Sequence, residues 1–347
     1  MEQLGFEGMP RRLYPCTPSR LRAWLDCPRR YRMTYLDRPA PPKGPPWAHN
    51  SLGASVHNAL AGWWRLHREE RTPEAAGSLL ARGWLTDGYA DDAQCAEYLR
   101  RARPMVEDYV AGLDPDREPA GVERTVATKT ELITVSGRID RLDDRPAGDS
   151  RLRADLAAAD LQPADGFRTD GDVRTDGDSR TDRDAGLAVP RPRPAERELV
   201  VVDYKTGRTP LTVDDARSSM ALALYALAAG RVLRRPCHAV ELHHLPTRRV
   251  LRWDHTDASL ARQLSRAEDI AAECGAADER YRADPEAGRG DEVFPPAAGS
   301  WCGWCDFRGQ CPEGQAAGVT RRPWDGLAAD HPEPAVRPVP AATGPAT

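Results

Sequence analysis

The sequence predicts an α/β fold: a mixed central sheet flanked by helices, opened by a helical N-terminal region and fastened by a clasp of cysteines. Helical periodicity dominates the first third of the chain, whereas short alternating apolar stretches begin after Pro119. A run of buried-strand type, Leu199-Val200-Val201-Val202, is followed by a helical pattern and then by two more strand patterns. Cys27 near the start, with Cys302, Cys305 and Cys311 far downstream, suggests one metal site that closes the chain on itself.

Taken in order, Thr17-Pro18 reads as an N-cap with proline at the first helical position, and the helix it starts delivers Cys27 at its end. After a proline-rich connector from Pro39 to Pro46, Leu52 to Arg68 reads as a helix with Val56, Leu60, Trp63 and Trp64 on its apolar face and His57 inside it. Further helices are expected over 73–111. Val122, Val126, Leu132, Ile133, Val135 and Ile139 alternate as antiparallel strands do. The stretch from Asp144 to Glu198 is polar, with the near repeats Arg168 to Asp172 and Arg174 to Asp178. It is too poor in apolar residues to offset its ordering entropy, and its Asp-Gly repeats lack the full spacing of a calcium loop. A helix from Val213 to Ala229, strands around Val240 to Leu245 and Val250 to Trp253, and a helix from Asp257 to Glu273 follow.

The expected division is therefore a tail over 1–13, a helical region with the first cysteine and the start of the core over 14–143, a disordered insertion over 144–198, the rest of the core with the late cysteines over 199–315, and a disordered tail over 316–347.

At 347 residues the chain can bury a substantial core. No apolar run approaches the roughly 18 residues of a membrane span, and Met1-Glu2-Gln3-Leu4-Gly5 does not start a secretory signal, so a cytoplasmic location is expected. Clustered CxxC spacing in such a chain favours metal binding over disulfides, while Cys16, Cys95, Cys237 and Cys274 read as ordinary thiols. The net charge of -4 looks unsuited to nucleic acid. Acid, however, is concentrated between Asp165 and Asp184, whereas eight arginines, Arg29 and Arg30 among them, make the first forty residues basic.

The candidate chemistry lies where strands end in charge. Positions two apart on a strand face the same way, so Asp203 and Lys205 project together from the Val200 to Val202 run. Asp140 ends the preceding strand, and antiparallel pairing would set it beside Asp203. Two carboxylates and a lysine suit Mg2+ or Mn2+ and phosphodiester hydrolysis, the alternative being an ion pair at a sheet edge. His57 has the small residues Gly53 and Ala54 one turn earlier, which leave room at its ring. His243 and His244, adjacent on a strand, face opposite sides and read as structural or surface residues.

Gly53-Ala54-Ser55-Val56-His57, Gly137-Arg138-Ile139-Asp140, Val202-Asp203-Tyr204-Lys205-Thr206-Gly207 and Tyr225-Ala226-Leu227 occur in the order seen in RecB-type nucleases. Over roughly residues 14–315, without the insertion, the chain resembles the RecB-like branch of the PD-(D/E)XK superfamily. It is similar in particular to the iron-sulfur members of that branch, such as the AddB nuclease domain and CRISPR-associated adaptation nucleases. The resemblance implies a restriction-endonuclease-like fold. It also implies Asp140, Asp203, His57 and the Tyr204 carbonyl as cation ligands, and Lys205 as the catalytic lysine. Tyr225, Arg29 and Arg30 are candidates for DNA contact or support of the site. Ala221 stands where the family has a glutamine, and this departure underlies the alternative of a catalytically weakened DNA-binding accessory protein.

Thiolates bind zinc or an iron-sulfur cluster, and spacing alone does not separate the two. With the resemblance, Cys27, Cys302, Cys305 and Cys311 are expected to hold a 4Fe-4S cluster, Zn2+ being the alternative. Trp24, Tyr31, Trp301, Trp304 and Phe307 are expected to shield it. The expected activity is that of a metal-dependent exonuclease acting on single-stranded or unwound DNA in repair or recombination. The chain lacks a GxxxxGK phosphate loop, so any helicase would be a separate partner.

Overall fold

The computed structural model describes residues 13–147 and 197–327. Most of the expected insertion, including the Asp-Gly repeats, and the outer parts of both tails lie outside the described residues.

Hydroxyl and carboxylate caps start the helices where the sequence places Ser, Thr or Asp before a helical pattern, each cap contributing about 1 kcal/mol. Thr17 accepts from the Arg20 amide at 3.1 Å to start α1 (Pro18–Asp26), which ends at Cys27, and Pro28 then opens α2 (Pro28–Tyr35). Helix α3 (Ala48–Trp64) begins and ends four residues earlier than expected, because Trp47, just past the proline connector, is its extended N-cap. Thr72 caps α4 (Pro73–Arg82) and Asp91 caps α5 (Asp92–Ala111).

The sheet has six strands: β1 (Tyr14–Cys16), β2 (Gly121–Lys129), β3 (Ile133–Pro146), β4 (Arg197–Lys205), β5 (Ala239–His244) and β6 (Arg249–Asp254). β3 pairs antiparallel with β2, parallel with β1 and antiparallel with β4, while β4 and β5 are parallel and β5 and β6 antiparallel. Since β2 occupies one edge of β3, β1 and β4 share the other. β1 covers Ile133 to Val135 and β4 covers Arg141 to Pro146. Between them Ser136 to Asp140 lack a strand partner among the described residues on that edge, and this gap is where the site forms.

The strands run further into the expected insertion than hydropathy indicates: Asp144, Arg145 and Pro146 pair with Leu199, Glu198 and Arg197. Ion pairing rather than apolar burial orders these ends, since Arg145 is buried against Glu241, and Asp144 binds Arg235 at 2.7 Å. The expected helix from Val213 is two helices, α6 (Val213–Ser218) and α7 (Met220–Leu233), broken at Ser219, whose side chain caps the second. α8 (Asp257–Ala283) is ten residues longer than expected.

Helices α3, α4 and α5 cover one face over Val200, Val202 and Tyr204. The alanine-rich face of α7 covers the other over Ile139, Leu142, Val201 and Val240. Helices α1, α2 and α8 build a third cluster around Tyr31, Ile133, Val135 and Phe294. The fold is thus a mixed sheet between helical layers. Past residue 315, where a tail was expected, α9 (Pro312–Ala317) and a 3-10 turn at Asp325–Leu327 are folded, and Leu327 is buried.

Candidate active site and cysteine pocket

Three acids stand in a row across neighbouring strands. The antiparallel registers, Arg141 opposite Val202 and Val122 opposite Arg141, bring Asp203, Asp140 and Glu123 side by side on β4, β3 and β2. Asp140 is held on both sides. Its Oδ2 accepts from the Tyr204 amide at 3.0 Å and lies 3.3 Å from Nδ1 of His57 on α3. His57 Nε2 is 3.1 Å from the Tyr204 carbonyl oxygen, so Asp140, His57 and the Tyr204 backbone form one cluster. Lys205 pairs with Oδ2 of Asp203. All the residues that sequence reading assigned to the catalytic centre therefore meet at the gap in the sheet.

Electrostatics follow from this packing. Burial pulls His57 down, but the hydrogen bond and charge of Asp140 outweigh it, and the imidazole sits above its ordinary range. Burial pushes Asp140 up, yet His57 and the Tyr204 amide hold it below the usual carboxylate value. Asp203 is raised by burial and by Asp140, against the opposing charge of Lys205.

Glu123 is the residue that sequence reading missed. Its backbone is left-handed, with φ of +50°, a conformation that costs a non-glycine residue of order 1 kcal/mol. One oxygen each from Glu123 and Asp140 and one His57 nitrogen lie within 4.8 Å of one another. Among the described residues theirs is the one group of three such side chains that could hold a metal ion at this spacing. The signal was present in the hairpin register: pairing Lys129 with Thr134 across the turn sets Glu123 opposite Asp140.

Tyr225 on α7 lies against β3. A Cβ at Gly137 would come within 2.3 Å of its ring, so the missing side chain is what admits the tyrosine beside the acids. A cleft of about 750 Å³ opens over the cluster, with His57, Glu123 and Lys205 in its wall together with the cations Arg101, Arg138 and Arg208. Gly326 and Leu327 close one side of it, where the Leu327 carbonyl accepts from Tyr98 and Arg208.

Cys27, Cys302, Cys305 and Cys311 line a second cavity of about 210 Å³, and all four are free thiols; its wall residue Trp304 meets His49 of the cleft wall at 5.5 Å between ring centroids. Amides of Ala297, Gly299 and Gly314 approach the sulfurs of Cys27, Cys302 and Cys311 at 3.4 to 3.5 Å. Such donors stabilise thiolate charge. Burial raises the Cys305 thiol. Trp301, Trp304 and Phe307 line the cavity as expected. Trp24 and Tyr31 do not: they pack on Phe294 and Tyr35 in the third core cluster, because their polar atoms are claimed by Glu273 and Asp278. Arg29 is turned inward, 8% exposed, pairing with Asp291 and Glu313 and reaching Cys311 Sγ at 3.5 Å. Arg30 lines the cavity beside Asp26. His243 and His244 are both buried and hydrogen-bonded, His243 to Tyr109 in the core and His244 to the Gly207 carbonyl in the cleft wall.

A mixed sheet between helical layers, with acids and a lysine gathered where β3 and β4 diverge, is the architecture of restriction-endonuclease-like proteins. Residues 15–154 and 191–312 match the sequence model of the PD-(D/E)XK nuclease superfamily, well over half of the chain, and the protein belongs to that superfamily. Membership implies a metal-dependent nuclease with DNA as substrate. No curated protein matches the chain.

Proposed function

We propose that this protein is a Mg2+- or Mn2+-dependent deoxyribonuclease of the RecB branch, an exonuclease on single-stranded or unwound DNA ends in repair or recombination, with a separate helicase supplying the strand. The register that sets Asp140 beside Asp203, with Lys205 two residues on, is the observation that carries this reading.

Asp140, Asp203, His57 and the Tyr204 carbonyl would hold the divalent cation, and their mixture of carboxylate, carbonyl and imidazole donors suits one. A cation held by these residues would supply Lewis acidity, polarising the scissile phosphate and lowering the pKa of an attacking water. Lys205 orients that water and offsets charge developing on the phosphate oxygens, while Asp203 fixes the ammonium. Arg101, Arg138 and Arg208 neutralise phosphates along the cleft. Tyr225 supports the acids from the α7 side.

The four cysteines would hold a 4Fe-4S cluster as an architectural clasp. One CxxC pair, a third cysteine six residues on and the distant Cys27 differ from the two nearby CxxC pairs of a compact zinc ribbon, and with the family resemblance this favours the cluster over Zn2+. The amide donors at the sulfurs and the arginines beside them also suit a ligand set of net negative charge.

One experiment tests both halves. Protein purified without oxygen is assayed for iron and zinc, and for cleavage of labelled single- and double-stranded DNA with Mg2+ or Mn2+, beside Asp203→Ala. Iron near four per chain, and end-dependent cleavage lost in the variant, are expected. Cleavage that survives in Asp203→Ala sinks the mechanism, and a colourless zinc-loaded protein overturns the cluster alone.

A further inference from the structure

We propose that Glu123 completes the cation site, and that Arg138, its present partner, competes with the cation for it; this rests on the metal-dependent reading above. The group of side chains closest to a ligand set is His57, Glu123 and Asp140, not the pair Asp140 and Asp203. Asp203 already shares its charge with Lys205, and Glu123 brings a further carboxylate to the opposite side of the shared Asp140. Glu123 has a left-handed backbone unlike an ordinary strand residue, and one of its carboxylate oxygens lies within 4.8 Å of a nitrogen of His57 on α3. Its side chain is 14% exposed, and its Oε2 is buried without a hydrogen-bond partner. What it has is charge: Arg138 Nε stands 2.6 Å away on a side chain that is 70% exposed.

This asymmetry gives the pair its role. A carboxylate nearly closed off from water beside two other anionic or ligating groups is unfavourable without positive charge. Arg138 supplies that charge from the solvent side of the cleft, at a position where a phosphate of a bound strand can draw it away. Cation and guanidinium are therefore alternative partners for one carboxylate. Removing the guanidinium leaves the carboxylate to the cation, and removing the carboxylate weakens the cation in either case.

The test is Mn2+ binding without DNA, read from the paramagnetic resonance of free Mn2+, on the whole chain and on Glu123→Gln, Arg138→Gln and Asp140→Asn, each checked for native circular dichroism. Glu123→Gln is expected to weaken Mn2+ binding by about tenfold or more. Arg138→Gln is expected to tighten it by at least about threefold, a gain that a purely structural ion pair would not give. Unchanged affinity in Glu123→Gln overturns the ligand assignment, and equal or weaker affinity in Arg138→Gln overturns the competition. Should binding persist undiminished in Asp140→Asn, the cation is elsewhere and the nuclease mechanism itself falls with this proposal. A silent Glu123→Gln beside an Asp140→Asn that abolishes binding removes this proposal alone.

Discussion

Gly137 shows how narrowly single side chains constrain the site. A Cβ there would lie 2.3 Å from Cε1 of Tyr225 and 3.2 Å from its hydroxyl, so alanine must push the ring off β3. The tyrosine lies close enough to Asp203 and Asp140 for their charges to raise its hydroxyl, after burial, above the ordinary range. Gly137→Ala is therefore expected to lower cleavage at least tenfold, while overpacking costs about 1 to 3 kcal/mol and leaves the fold intact. Paired activity and thermal-melting measurements check this, and full activity in the variant would detach Tyr225 from the chemistry. Asp140, Asp203 and Lys205 were legible in the sequence, grouped from local strand patterns that turn to charge, although Asp140 sits within β3 and not at its end, and His57 joined them only through the family resemblance. Glu123 was not legible, because Val122-Glu123-Arg124 reads as an ordinary half-buried strand. Its meaning comes from a partner seventeen residues away across the hairpin.

At the scale of the elements, β3, β4, β5 and β6 are joined by a buried network of charges that hydropathy cannot register. Arg141 binds Asp143 at 2.8 Å and donates to Tyr109 and Tyr204, and Tyr109 meets Nδ1 of His243 at 2.7 Å. His243 Nε2 is 2.9 Å from Glu241, which also pairs with Arg145 and Arg252. For this reason the strand ends at 144–146 and 197–198 looked like part of a polar insertion, although Arg145 and Glu241 are both about 2% exposed. The break at Ser219 was equally hidden, since serine suits a cap and a helix interior almost alike in pattern. The network assigns His243 its form: Nε2 donates to Glu241, Nδ1 accepts from Tyr109, and the ring is neutral. Burial holds it below the ordinary histidine range, despite Glu241. Acid therefore charges His243 in the unfolded chain first, near pH 6.5, and the unfolded state binds more protons from there down to the folded value. Stability must fall with pH through that window, by up to about 1.4 kcal/mol per pH unit for this one group. His57, raised in the fold, acts in the opposite sense, so the informative quantity is a difference between proteins. The melting temperature of His243→Gln should drop less between pH 7 and pH 5.5 than that of the parent chain. An equal drop would mean that His243 is already charged in the fold.

Across the whole molecule the cysteine pocket and the cleft are parts of one continuous segment. After Cys311 the chain forms α9, and Pro323 then accepts from the Ala48 amide at 3.0 Å while Gly326 packs on His49. Leu327 ends at Tyr98 and Arg208 in the cleft wall. The other side of the pocket is Cys27, between α1 and α2, where Arg29 reaches Asp291 and Glu313. A metal or cluster held by the thiols would thus restrain both the N-terminal helices and the strip that borders the site. Cys27→Ser should lower the melting temperature by several degrees and expose 296–327 to limited proteolysis. Mn2+ affinity should stay within about twofold, because His57, Asp140 and Asp203 are anchored by the sheet and α3 rather than by the pocket. A chain ending after Gly318 makes the complementary case, keeping all four cysteines but losing the strip. Its melting temperature should fall less than that of Cys27→Ser, while its KM for single-stranded DNA rises, since Arg208 and Tyr98 lose the carbonyl that holds them at the cleft. If Cys27→Ser instead lost Mn2+ binding outright with its melting temperature unchanged, the pocket would belong to the chemistry and not to the architecture.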